Sequence, residues 1–161
     1  MKQIIVTHIN GKELTEPLTL GFDPEKIVST RSVGNACEFV YIESLGDRVS
    51  PKTIQCANYK SQIDGYISGN LLDLSVYDAQ GNTGALSIQE KYVELIRDTT
   101  IIISGSEQAC REIKFRPGSW VEKTIYVSNS MSSLATGALT TTTVAVTTTT
   151  TVAITTTTTV A

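Results

Sequence analysis

From Leu139 to Ala161 the sequence is a neutral repeat: four threonines, Val144-Ala145-Val146, five threonines, Val152-Ala153-Ile154, five threonines, then Val160-Ala161. Its eight-residue period is a multiple of the two-residue repeat of a strand, so each copy returns to the same face of an extended chain. A helix would smear the apolar positions around its surface. On the extended chain Val144, Val146, Val152, Ile154 and Val160 share one face, while Ala145, Ala153 and Ala161 share the other with the odd-numbered threonines. β-Branching restricts χ1 and favours the pleated conformation, and threonine hydroxyls can form ladders between like neighbours. Even a two-stranded hairpin is marginal alone in water, so a strand of this kind needs partners.

Three readings of the repeat compete. Self-association into a β-structured stalk, sheet or fibre follows from an uncharged, proline-free, β-prone segment whose edges are available for pairing. A flexible spacer follows from the small apolar area that could offset ordering entropy. A mucin-like glycosylated stalk would bring serine and proline, which this segment lacks. The expectation adopted is self-association through Val144, Val146, Val152, Ile154 and Val160.

Charge divides the chain into a body at 1–134 and a tail at 135–161, because every Lys, Arg, Asp and Glu lies at or before Lys123. The net charge of −3 offers nucleic-acid phosphates no general attraction, and a nucleic-acid partner is not expected. Met1-Lys2-Gln3-Ile4-Ile5-Val6-Thr7-His8 is too short in apolar run for a secretory signal. No stretch reaches the roughly 18–20 apolar residues of a membrane span, so no membrane partner is expected either. Cys37, Cys56 and Cys110 are odd in number and show no C-x-x-C spacing. They read as buried reduced thiols, with a Cys37–Cys56 cross-strand bridge as the lesser option.

In the body, β-branched and aromatic runs alternate with Gly, Asn, Asp and Pro, which predicts many short strands. The fold class expected is mainly β, with a β-sandwich-like body. Asn10-Gly11 predicts a type I′ hairpin turn between Gln3–Ile9 and Lys12–Leu20. Lys26–Val33 and Ala36–Ser44 flank Gly34-Asn35 as a second pair, and Lys52–Ala57 follows as a strand. Ile63, Ile67 and Leu71 recur at helical spacing, so one short helix is expected between Tyr59 and Leu74. Leu74–Asp78, Ala85–Gln89, Tyr92–Ile96, Ile101–Ser104, Ala109–Phe115 and Val121–Val127 read as further strands, with Arg97-Asp98 separating two of them.

A faint internal similarity suggests two similar β units at about 25–58 and 90–129. Glu25-Lys26-Ile27-Val28 matches Glu90-Lys91-Tyr92-Val93, Ala36-Cys37 matches Ala109-Cys110, and Lys52-Thr53-Ile54 matches Lys123-Thr124-Ile125. The second copy then needs an insertion around Thr99–Glu107.

Little in the sequence carries chemistry. His8 has no second His or nearby Cys to form a metal set. Glu38, Glu43, Asp47, Asp64, Asp73 and Asp78 show no spacing that places two carboxylates at one reacting centre. Phosphate-cradling and nucleophile-elbow strings do not occur. No catalytic, cofactor-binding or metal-binding residue is assigned, no cofactor is expected, and the protein is not expected to be an enzyme. Arg111, Lys114, Arg116, Trp120 and Lys123 form a basic stretch around the one tryptophan. It reads as a solvated strand face beside a buried tryptophan, with a ligand contact through Trp120 as the lesser option.

The stretches Tyr41-Ile42-Glu43-Ser44-Leu45-Gly46-Asp47-Arg48-Val49-Ser50-Pro51-Lys52-Thr53 and Gly118-Ser119-Trp120-Val121-Glu122-Lys123-Thr124 resemble the small β-rich virion proteins of tailed bacteriophages, particularly those infecting Bacteroidetes. The resemblance covers roughly Met1 to Leu134. It implies a structural protein located in the virion: a head fibre, decoration or tail-associated component, capsid-associated and present in many copies. Its partners would be other copies, paired through the C-terminal repeat, and other particle or capsid proteins. The alternative is a glycan-binding β-sandwich adhesin at the cell surface or outside the cell, using Trp120 and a threonine-rich spacer.

Overall fold

Turn residues at short intervals cut the body into strands, and the computed structural model, which describes residues 1–45, 48–118 and 121–130, shows ten of them. They are β1 (Lys2–Ile9), β2 (Lys12–Phe22), β3 (Ile27–Val33), β4 (Ala36–Leu45), β5 (Arg48–Cys56), β6 (Leu71–Tyr77), β7 (Thr83–Gln89), β8 (Val93–Ile103), β9 (Ser106–Gly118) and β10 (Val121–Val127). A helix of five residues, α1 (Lys60–Asp64), joins β5 to β6. Single 3-10 turns at Pro24–Lys26 and Glu90–Tyr92 precede β3 and β8. The fold is mainly β, as the punctuation predicts. Asn10 and Gly11 sit at φ 51° and 80°, the left-handed pair that a type I′ turn requires.

All ladders are antiparallel, and they join the strands into one sheet in the order β2-β1-β5-β4-β3-β7-β6-β10-β9-β8. The first five positions hold β1–β5 and the last five hold β6–β10 in the same internal order. Register repeats with it. Val6 opposes Cys56 between β1 and β5, and Val76 opposes Val127 between β6 and β10. One backbone bond recurs beside each pair: Ala57 N–H donates to Ile5 O, and Ser128 N–H donates to Ser75 O, both at 2.9 Å. Arg31 opposes Glu38 in the first unit and Arg97 opposes Glu112 in the second, each joined by an ion pair of 2.6 Å.

These pairings equate Lys52-Thr53-Ile54 with Lys123-Thr124-Ile125, as the sequence match does, but they equate Cys37 with Arg111 rather than with Cys110. A one-residue slip in a strand exchanges its faces, so side chains of like identity in a sequence match can stand on opposite sides of the sheet. The repeated order also takes in β1–β2 and β6–β7, where the sequences show no match.

The two units bury their core faces differently. In the first, Ile4, Val6, Phe22, Ile27, Cys37, Phe39, Ile54 and Cys56 close around Ile63 and Ile67 from α1 and the loop after it. In the second, Leu72, Leu74, Ile88, Ile96, Ile113, Phe115 and Val127 close around Val28 and Ile42, with Val40 beside them. Those last three side chains come from the opposite face of β3 and β4, so the first unit's back is the filling of the second, and β9 lies against β4 and β5. Burying Val28 and Ile42 there contributes about 1.5–3 kcal/mol each.

The corresponding back positions of the second unit are charged. Val28 is the extra residue between the Ile27–Tyr41 and Ser29–Val40 pairs, and Glu94 is the extra residue between Val93–Phe115 and Leu95–Lys114. Val28, Val40 and Ile42 therefore correspond to Glu94, Lys114 and Arg116. Arg116 bonds Glu94 at 2.9 Å and lies 3.4 Å from Glu122, with roughly two-fifths of each side chain exposed. Apolar residues mark the back that is covered, and an ion-paired surface marks the back that is not.

α1 fastens the junction between the units. Thr30 and Ser87 are ladder partners across it. Thr30 Oγ1 donates to Asp64 Oδ1 at 2.6 Å, Lys60 Nζ lies 2.5 Å from Asp64 Oδ2 and donates to Ser87 Oγ at 2.8 Å, and Ser87 Oγ donates to Asp73 Oδ1 at 2.6 Å. Gln89, fully buried, donates through Nε2 to Ile27 O at 2.5 Å and Pro24 O at 3.2 Å. Gly69 makes room for it, since a Cβ there would approach Gln89 Oε1 to 2.7 Å.

Candidate assembly site

An open sheet ends in two strands with free backbone groups, and here these are β2 and β8. Among the described residues, each has a ladder partner on one side alone. Such edges pair readily with further strands unless charge, proline or irregularity blunts them.

β2 is blunted in all three ways. It carries Lys12, Glu13 and Glu16, and Pro17 removes one backbone donor. Its register breaks as well: between the Val6–Leu18 and His8–Glu13 pairs, Leu14–Pro17 face the single residue Thr7.

The distal part of β8 has none of these features. Six residues separate Arg31 from Glu38 in the first unit's hairpin, whereas fourteen separate Arg97 from Glu112. The second hairpin is thus four residues longer in each arm. The extension starts beyond the Asp98–Arg111 ion pair, closed at 2.7 Å, and β10 ends opposite Arg111, so Ser106–Cys110 of β9 lie past the end of β10. Along the extension β8 reads Thr99-Thr100-Ile101-Ile102-Ile103, without charge or proline. Ile102 is 67% exposed, an unusual position for a large aliphatic side chain, while Thr99, Ile101 and Ile103 are half-buried. Ile103 packs on the turn after β6, where a Cβ on Gly81 would collide with it. Ser104 and Gly105 close the hairpin at φ 51° and 81°.

Tyr92–Ile96 and Ile101–Ser104, expected as separate strands, are one continuous β8. Arg97 and Asp98 do not break it, because Glu112 and Arg111 stand directly opposite and neutralise them. The edge that results was missed for that reason. The signal that could have revealed it is the neutral run Thr99–Ile103 itself.

Val144, Val146, Val152, Ile154 and Val160, assigned to assembly from the sequence, lie outside the described residues, as do Trp120 and Asp47. The remaining acidic candidates hold structural positions. Glu38 pairs with Arg31, Glu43 with Lys52, Asp64 with Lys60, and Asp73 accepts from Ser87. Asp78 Oδ1 accepts from the backbone N–H groups of Gln80 and Asn82, both at 2.9 Å. Arg111 pairs with Asp98 and Arg116 with Glu94, while Lys123 lines a cavity of about 240 Å³ between the units with Arg31, Glu38, Val40, Leu86 and Phe115. His8 Nδ1 lies 3.0 Å from Thr7 Oγ1.

Cys37 and Cys56 stand directly opposite one another as buried free thiols, and Cys110 is buried and free as well. The Cys37 thiol is pushed up by its hydrogen bond with Cys56 and by burial. Burial likewise raises Cys110. Among the described residues no group of three or more His, Cys, Asp and Glu is placed to hold a metal, and no helix is long and apolar enough to cross a membrane. Comparisons with known protein families, curated proteins and solved structures find no match to this chain.

Proposed function

We propose that this protein is a structural assembly component that builds a larger particle by adding strands edge to edge. The observation that carries the reading is the contrast between its two terminal strands: β2 is guarded by charge, proline and a bulge, while the extended arm of β8 is neutral and strongly β-prone. The chain also carries a second element suited to the same pairing, the neutral repeat 139–161. The resemblance of the body to tailed-phage virion proteins supplies the setting: a virion head fibre, decoration or tail-associated component whose partners are further copies and other capsid proteins. Light scattering of the purified full chain, combined with amide exchange, tests this. An oligomer whose Thr-rich segment is protected from exchange supports the reading. A monomer at every concentration, with that segment exchanging within seconds, overturns it.

A further inference from the structure

We propose that the edge of β8 along Thr99–Ile103 is the docking site for the Thr-rich segment 139–161 of a second copy, an inference that rests on the assembly reading above. The edge is a run of five residues, about 17 Å of strand, with an unpaired row of backbone donors and acceptors among the described residues. That run constrains a partner in three ways. It gains nothing from charge, because the run carries no charged side chain to pair with one. It must supply the alternate backbone N–H groups that face the edge, where proline has none to give. It must also tolerate repeated pairing without a unique side-chain lock, because Thr99–Ile103 offers β-branched side chains throughout.

The segment 139–161 fits all three. It has no charge and no proline, and each Val-Ala-Val or Val-Ala-Ile triplet with its flanking threonines spans five residues, the length of the β8 run. Alternation then places the two branched aliphatic side chains of a triplet on one face of the lengthened sheet, next to either Ile101 and Ile103 or Thr100 and Ile102. The eight-residue period presents a similar match at two positions, Val144–Val146 and Val152–Ile154.

The direction of the chain favours a second copy as the source. Beyond β10, Ser128 N–H donates to Ser75 O, while Asn129 accepts from Ser75 N–H and donates to Asp73 O. The described chain therefore ends beside β6 as the continuation of β10, and to reach the free edge of β8 it would have to cross both β9 and β8.

Hydrogen exchange of the full chain across a concentration series, read beside its mass by light scattering, tests the proposal. The Ile102→Lys variant serves as the comparison: Ile102 is exposed, so the fold tolerates the change, and a lysine on the edge discourages pairing. The proposal predicts that Thr99–Ile103 and Val144–Ile154 gain protection together as the oligomer forms. It also predicts that Ile102→Lys shifts the association midpoint at least tenfold higher while the melting temperature of the body is unchanged. An oligomer in which Thr99–Ile103 exchange as in the monomer overturns the docking site and leaves the assembly reading in place. Protection of β8 without the tail means that β8 pairs with β8, and protection of both in a monomer means that the chain's own tail docks; either result overturns the proposal. A monomer at every concentration in which neither segment is protected overturns the assembly reading itself.

Discussion

Glu25 shows how single residues hold the two units together. It stands in the turn before β3, accepts from Ser68 Oγ at 2.6 Å, and meets Lys91 Nζ from the corresponding turn before β8 at 3.0 Å. Its backbone carbonyl accepts from Tyr92 Oη at 2.7 Å. The Ser68 hydroxyl, and after it Lys91, hold the Glu25 carboxyl below its ordinary value of 4.5. A carboxyl with a lowered folded pKa contributes stability that is fully present above the unfolded value and is lost as pH falls through the folded one. Glu25→Gln removes that contribution. Thermal melts should show the wild type losing more of its advantage over the variant as pH falls below about 4.5, with the two converging in acid; a constant difference across the range contradicts the assignment. The residues that could be read from sequence were those with a local reason. Asn10-Gly11 announces its turn because both residues tolerate positive φ. Glu25 has no such mark, since its partners lie 43 and 66 residues away.

At the scale of elements, the β8–β9 hairpin is closed by Ser104-Gly105, both at positive φ, and serine has none of the tolerance for that conformation that asparagine has. Ser104→Asn should raise stability by about 1 kcal/mol, measured by denaturant unfolding. A loss of stability would contradict the left-handed backbone at Ser104. The strands were legible because β-branched runs are punctuated, and the helix was legible from the spacing of Ile63 and Ile67, although α1 takes in only Lys60–Asp64 and Leu71 opens β6. β8 was not legible as one strand. A pair of opposite charges in sequence reads as a break, and only the strand opposite, with Glu112 and Arg111, turns it into a pair of cross-strand bridges.

At the scale of the whole molecule, two units of the same order are stacked back to front. The positions that decide the stacking are Val28, Val40 and Ile42, whose counterparts Glu94, Lys114 and Arg116 face water. Ile42→Ala should cost about 2–4 kcal/mol, because it leaves a cavity between the units. Arg116→Ala, at the corresponding position, should cost under about 1 kcal/mol, because its ion pairs are exposed. Equal costs in denaturant unfolding would contradict the stacking. The order of strands carried no sequence signal, since β1 meets β5 and β3 meets β7 through contacts distant in the chain. The similarity of Lys52-Thr53-Ile54 to Lys123-Thr124-Ile125 hinted at the repeat, but the one-residue slip at Cys37 and Cys110 hid its register.

The same packing sets where growth can occur. A third unit stacked in the same way would have to cover Glu94, Lys114 and Arg116, so the charged back opposes it, and the neutral arm of β8 remains the open route. Native mass spectrometry of the intact 17.4 kDa chain is the most direct test of assembly. The account predicts species at whole-number multiples of that mass at micromolar concentration. A single 17.4 kDa species throughout the concentration range would contradict it.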